Sequence, residues 1–248
     1  MPATAWTPDQ IDWHRFAPEQ VDARTLAAVK TAALVEFNAD DYVAYLGKVF
    51  AGDAVTRAEI AQWGAEERQH GEVLARWAQL ADPDFDFDRA MTRFRAGYQI
   101  HPDAVASVRG SPAGELIARC VVECGTSSFY CSLRDGTGEP VLRQIAGLVA
   151  RDEFHHYRLF LDAYHRHAAA DRIGLAGRLR IALGRVSEAD DDELAFAYWS
   201  ANLADRGEPY DRAACFRAQQ RAALGSYRRE HVRRAVQHGA SAAEVEQA

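Results

Sequence analysis

Apolar positions along this chain recur every three or four residues, and no segment alternates in twos with β-branched residues. At about 3.6 residues per turn, Ile60, Trp63, Leu74 and Trp77 share a helical face with Glu67. Prolines 2, 8, 18, 83, 102, 112, 140 and 209 leave long proline-free stretches rich in alanine, leucine, arginine and glutamate. The pattern predicts long helices near residues 22–50, 54–81, 112–135 and 139–169. Shorter ones are predicted near 173–186, 190–205 and 210–238. Gly52-Asp53 and the stretch RDGTGEP (134–140) read as the turns of two hairpins, while Ser111-Pro112 and Pro140 read as helix starts. The linker 82–110 should hold a short helix of its own. The expected fold is all-α: a four-helix bundle of two helical hairpins over about 22–170, with accessory helices over about 172–238, in one domain spanning 1–248.

With 248 residues, 48% of them hydrophobic, a single large core is affordable. A formal charge of -7 argues against a general nucleic-acid binder. The start, MPATAWTPDQIDWHRF, shows no basic segment followed by an apolar run, and no stretch nears the roughly 18 apolar residues of a membrane span. A cytoplasmic protein without a membrane segment is expected. Cys120, Cys124, Cys131 and Cys215 form no CxxC pair and read as packed thiols, with a disulfide or thiolate site as the alternative.

The chemistry lies in a repeated motif. Glu67-Arg68-Gln69-His70 and Glu153-Phe154-His155-His156 each place a glutamate three residues before a histidine, so both side chains leave one side of a helix. Buried carboxylates and imidazoles are costly unless paired or metal-bound. Two such pairs on facing helices, with one glutamate from each remaining helix, make the dinuclear site of ferritin-like bundles. In an antiparallel hairpin, residues equidistant from the turn lie at one height. Reflection of Glu67 across Gly52 points to Glu36, and reflection of Glu153 across the 136–139 turn points to Glu123. Both interrupt apolar runs, AALVEF and ARCVVEC. Glu115 competes with Glu123, but its place in the first turn after Ser111-Pro112 is explained by the helix dipole. Glu66 can reach His70 from four residues away, and Asp152 forms a shadow pair with His155. Glu66 and Asp152 are assigned the task of orienting the histidines by hydrogen bonds, and Trp63 is expected beside the site. Four carboxylates balance two divalent cations, and oxygen and nitrogen ligation without thiolate suits two iron ions (Fe2+), or manganese.

These residues carry a resemblance. WGAEERQHGEVL (63–74) is similar to the Trp-x-Ala-Glu-Glu-x-x-His-Gly stretch of the soluble acyl-acyl carrier protein desaturases, a ferritin-like family. EPVLRQIAGLVARDEFHH (139–156) resembles the same family's Pro-Val-Leu, Ile-x-Gly and Asp-Glu-x-x-His pattern, and ECGT (123–126) its Glu-x-x-Thr. The resemblance covers mainly residues 55–75 and 120–160. It implies Glu36, Glu67, His70, Glu123, Glu153 and His156 as iron ligands and Thr126 as an oxygen-activation residue. A threonine bonding back to its own helix is the alternative for Thr126. It also implies removal of two hydrogens from an acyl chain on acyl carrier protein, using dioxygen and a ferredoxin-like electron donor, by a homodimer. The chain departs from plant members in its shorter length, its tighter first hairpin and its Phe154-His155 pair.

Tyr42, Tyr45, Phe129 and Tyr130 are candidates to line a slot for the chain, and the basic stretches 172–185 and 217–234 are candidates to dock an acidic carrier protein. Two other readings share the motif: a related diiron oxygenase acting on another substrate, and ferritin- or rubrerythrin-like metal handling. Ferritins usually carry one Glu-x-x-His, and rubrerythrins usually append a four-cysteine domain that this sequence lacks. A helical interaction module without metal is a further reading.

Overall fold

The computed structural model describes residues 6–100, 103–187 and 192–224, and these contain helices and no strand. In chain order the α-helices are α1 (Ala23–Phe37), α2 (Ala39–Val49), α3 (Ala54–Ala81), α4 (Phe87–Gly97) and α5 (Pro112–Gly136). They continue with α6 (Pro140–Asp171), α7 (Leu175–Ser187), α8 (Asp192–Asn202) and α9 (Arg212–Leu224). Among the described residues, no helix is long and apolar enough to cross a membrane.

Side-chain caps fix where the main helices begin. Asp22, Asp53, Asp86, Ser111 and Glu139 each accept hydrogen bonds from first-turn amides of α1, α3, α4, α5 and α6 respectively. Glu139 does more than cap. Fully buried, it accepts from Leu142 N, from Ala17 N and from the Trp77 indole at 2.7 Å, and so ties the start of α6 to α3 and to the N-terminal segment. Glu139→Ala removes the cap and strands the indole N–H, which should cost about 3 kcal/mol. A drop in Tm of roughly 6–12 °C is expected in thermal melts; a drop under about 2 °C would mean the network is dispensable.

The helix predicted over 22–50 is two helices, broken at Asn38. There the chain leaves helical geometry (ψ 13°), and Arg95 of α4 donates to Phe37 O and to Asn38 Oδ1. The α3 backbone also comes so near that a Cβ on Gly71 would lie 2.6 Å from Phe37 N. Glycine is required there by close approach. The helix predicted over 210–238 runs as α9 to Leu224, and the rest of that range lies outside the described residues.

Neighbouring long helices run antiparallel. From α5 to α6 the contacts pair Ala113 with Asp171, Cys120 with Tyr157 and Thr126 with Glu153. From α3 to α6 they pair Glu59 with Arg166, Trp63 with Phe160 and His70 with Asp152. The α1–α2 segment runs against α3 through Lys30 with Asp82 and Asp40 with Arg68, and against α5 through Glu36 with Tyr130 and Tyr45 with Glu115. α7 packs on α5, while α8 and α9 pack on α1.

Two apolar cores stack along these helices. One contains Leu34, Leu74, Trp77, Tyr130, Leu133 and Leu142; the other contains Tyr45, Ile60, Trp63, Leu116 and Phe160. Each long segment passes from one core to the other at the same height. At that level it carries Glu36, Glu67 and His70, Glu123, or Glu153 and His156, so the predicted ligands form a polar layer between two dry ones.

Candidate metal centre

The six predicted ligands come together and are buried, none more than 8% exposed. They form two quartets, each able to bring one ligand atom per residue within 4.8 Å of the others: Glu36, Glu67, His70 and Glu153, and Glu67, Glu123, Glu153 and His156. Glu67 and Glu153 belong to both. The motif glutamates therefore stand between the two positions, with Glu36 and His70 on one flank and Glu123 and His156 on the other.

Each histidine is aimed by a carboxylate from the opposite helix. His70 Nε2 lies 3.2 Å from Asp152 Oδ2, and His156 Nε2 lies 2.8 Å from Glu66 Oε2. Carboxylates at these distances accept, so Nε2 carries the proton and Nδ1 faces the cluster. The local pairings expected from spacing are replaced by cross-helix ones: Glu66 serves His156 rather than His70, and Asp152 serves His70 rather than His155. The antiparallel register of α3 and α6 makes the exchange. Trp6 completes the His70 side, lying parallel to its ring at 6.1 Å and donating its indole N–H to Asp152. Nothing in the N-terminal sequence singled it out. Trp63 packs edge-on against His156 and Phe160. The Thr126 hydroxyl donates to Glu153 Oε2 at 2.7 Å and lies farther from its own helix carbonyls, at 3.1 and 3.2 Å, so a purely local role is insufficient. Glu115 lies outside the cluster. It is buried and accepts from the Tyr45 and Ser107 hydroxyls, so hydrogen bonds account for it rather than the helix dipole alone.

No protein-family model and no curated protein matches this chain. What the site can bind is therefore a question for its donor atoms. His70 Nδ1, His156 Nδ1 and Glu153 Oε1 are buried without a well-aligned hydrogen bond, and they converge within the quartets, His156 Nδ1 lying 3.0 Å from Glu67 Oε1 and His70 Nδ1 3.3 Å from Glu153 Oε1. Carboxylates and imidazoles buried this close together without aligned hydrogen bonds are costly unless protons or a metal ion satisfy them. The residues present fit divalent cations bound by oxygen and imidazole.

In the metal-free protein, protons take the cations' place. Burial, and then the neighbouring Glu67 carboxylate, push Glu36 well above the usual carboxylate range, and burial does the same to Glu123. Burial also works against ionised Glu67 and Glu153, but close contacts with Glu36 and with the His156 and His70 imidazoles outweigh it at Glu67, and contacts with the same two imidazoles outweigh it at Glu153. Both are held low. Burial disfavours protonated His70 and His156, yet the surrounding carboxylates raise both well above 6.5. Two imidazolium charges thus balance two carboxylates, and two divalent cations would displace about four protons from the site.

Glu66→Gln and Asp152→Asn keep the size of each orienting group and remove its charge. Each is expected to weaken divalent-metal affinity about 10- to 100-fold, measured by competition with a chelating dye. Unchanged affinity in both variants would show that these carboxylates do not aim the ligands.

The cysteines make no disulfide; burial pushes the Cys120 thiol up to about 12, consistent with a packed thiol. A cavity of about 400 Å³ opens on the cluster. Its wall is mainly apolar, drawn mostly from α1 and α5, with residues of the other bundle helices and of α7, α8 and α9 completing it. Tyr42, Phe129 and Tyr130 line it as expected. Tyr45 does not; it is turned into the second core, where its hydroxyl bonds Glu115 and accepts Val108 N. Of the basic stretches, residues 225–234 lie outside the described residues, while Arg185 faces the cavity.

Proposed function

We propose that the cluster is a dinuclear iron centre in a ferritin-like bundle of two hairpins, and that it oxidises an aliphatic chain held in the adjoining cavity, with dioxygen as oxidant. The observation that carries this reading is the juxtaposition of two quartets sharing Glu67 and Glu153 with an apolar cavity of small-molecule size. Storage or peroxide defence needs no such cavity, and a metal-free interaction module gives no reason for four carboxylates and two imidazoles to converge in the buried interior.

Two ferrous ions bound there would supply the reduction of dioxygen coupled to hydrogen removal from an unactivated carbon. The chain's own residues do the rest. Glu66 and Asp152 hold the imidazoles, and Thr126 holds a hydroxyl proton against Glu153 at the cavity wall. Val35, Val122 and Phe129 give the substrate an apolar bed that excludes water. For a desaturation, two hydrogens leave adjacent carbons, a ferredoxin-like donor supplies two electrons, solvent supplies two protons, and dioxygen leaves as two waters. Acyl carrier protein as the tether, the ferredoxin-like donor and a homodimer are the partners that the desaturase resemblance implies. Manganese is the alternative metal.

The test is dioxygen uptake by the iron-loaded full chain with reduced ferredoxin, offering octanoate and acyl chains on carrier protein, followed by mass spectrometry of the recovered chain. Chain-dependent uptake with a product two hydrogens lighter is expected. Loaded protein whose uptake no chain accelerates, and which alters none, would overturn the reading.

A further inference from the structure

Arg119 stands one helical turn before Glu123 on α5 and lines the same cavity. Only 6% exposed, it has its Nε buried without a hydrogen-bond partner, and among the described residues no ion pair or hydrogen bond reaches its guanidinium. Its nearest support is the Tyr42 ring, 4.6 Å from the guanidinium carbon to the ring centroid. The surrounding carboxylates each have another contact. Glu115 accepts from Tyr45 and Ser107, Glu123 belongs to the cluster, and Glu193 accepts the Tyr42 hydroxyl at 2.7 Å. Arg185 adds a second cation to the lining. The charges of Glu115, Glu123 and Glu193 steady the guanidinium from beyond ion-pair distance, so no carboxylate meets its planar fork, which matches one.

We propose that the cavity binds a free aliphatic carboxylic acid, its carboxylate held by Arg119 and its chain lying along Ala32, Val35, Val122 and Phe129. This rests on the oxidase reading for its chemistry but differs from it over delivery: the substrate enters as a free acid, not as a thioester. The Cβ atoms of Arg119 and Glu123 stand about 6 Å apart on one face of α5, so carbons a few bonds from the carboxylate would lie nearest the cluster.

The test measures equilibrium binding of hexanoate, octanoate and decanoate, their methyl esters, and octanoyl-acyl carrier protein to the full chain, with and without iron. Wild type is compared with Arg119→Gln and Arg119→Leu, each checked by circular dichroism. At least one alkanoate should bind about 10-fold or more tighter than its ester, and both variants should lose that preference while still binding the ester. Equal affinity for acid and ester in wild type, unchanged acid binding in Arg119→Gln, or no binding of any alkanoate would overturn the proposal. Oxidation of octanoyl-acyl carrier protein without alkanoate binding would remove the free acid and leave the oxidase. Arg119-dependent alkanoate binding by a chain that takes up no metal would do the reverse.

Discussion

Glu67→Ala and Glu153→Ala are each expected to empty the whole centre, whereas Glu36→Ala and Glu123→Ala should each leave about one metal ion per chain of about two. The asymmetry follows from membership. Glu67 and Glu153 belong to both quartets, while Glu36 belongs only to the one with His70 and Glu123 only to the one with His156. Loss of a shared carboxylate leaves each position three protein ligands and removes one of the two anions between the cations, so their mutual repulsion is less screened. Loss of a flanking carboxylate leaves the other quartet whole. Anaerobic loading with ferrous iron, removal of excess metal and elemental analysis would measure the content, with circular dichroism confirming the helices. If all four variants lost metal equally, two positions sharing a pair of ligands would be the wrong description.

The clustering of these six residues was legible in the sequence for a geometric reason. A glutamate and a histidine three apart on a helix face one way whatever surrounds them, and reflection through a tight turn needs only helical rise. Glu36 survived even the break at Asn38, because it lies in the last turn of α1, before the chain departs from helical geometry. The break itself was not legible. It depends on Arg95 arriving from α4 and on Gly71 letting α3 approach, and both are contacts between segments distant in sequence. The same limit hid the carboxylate partners of the histidines. Within one helix Glu66 is near His70, and only the register between α3 and α6 hands it to His156 instead. Trp6 and Arg119 were invisible for a related reason. An isolated tryptophan near a terminus, or an arginine between an alanine and a cysteine, acquires meaning only when its surroundings prove to be Asp152 for the one and a cavity wall for the other.

Metal loading is expected to raise Tm by roughly 15–30 °C near neutral pH, and the gain should shrink steadily toward about pH 5. Each ion at about a thousandfold above its Kd contributes about 4 kcal/mol, and in a chain of this size each kcal/mol moves Tm by roughly 2–4 °C. The pH dependence comes from the protons that the ions displace. In the metal-free protein Glu36 and Glu123 have raised folded values, so their contribution is whole below the ordinary 4.5 and is lost as pH rises through those values. His70 and His156 are also raised, so theirs is whole below 6.5 and is lost at higher pH as the folded imidazoles give up their protons. Glu67 and Glu153 are lowered, and theirs is lost only as pH falls below 4.5 through the folded values. For these six groups the metal-free protein is therefore most stable near the ordinary carboxylate value and weakens as pH rises. The loaded protein behaves oppositely, because it needs all four carboxylates ionised and both Nδ1 atoms bare. The two stability curves diverge toward alkaline pH. Thermal melts of chelator-treated and manganese-loaded protein across that range, with manganese as a cation inert to air over the measurement, would read both curves directly. A gain independent of pH, or a metal-free protein that stabilises on passing from about pH 5 to about pH 8, would show that these protons do not hold the empty site together.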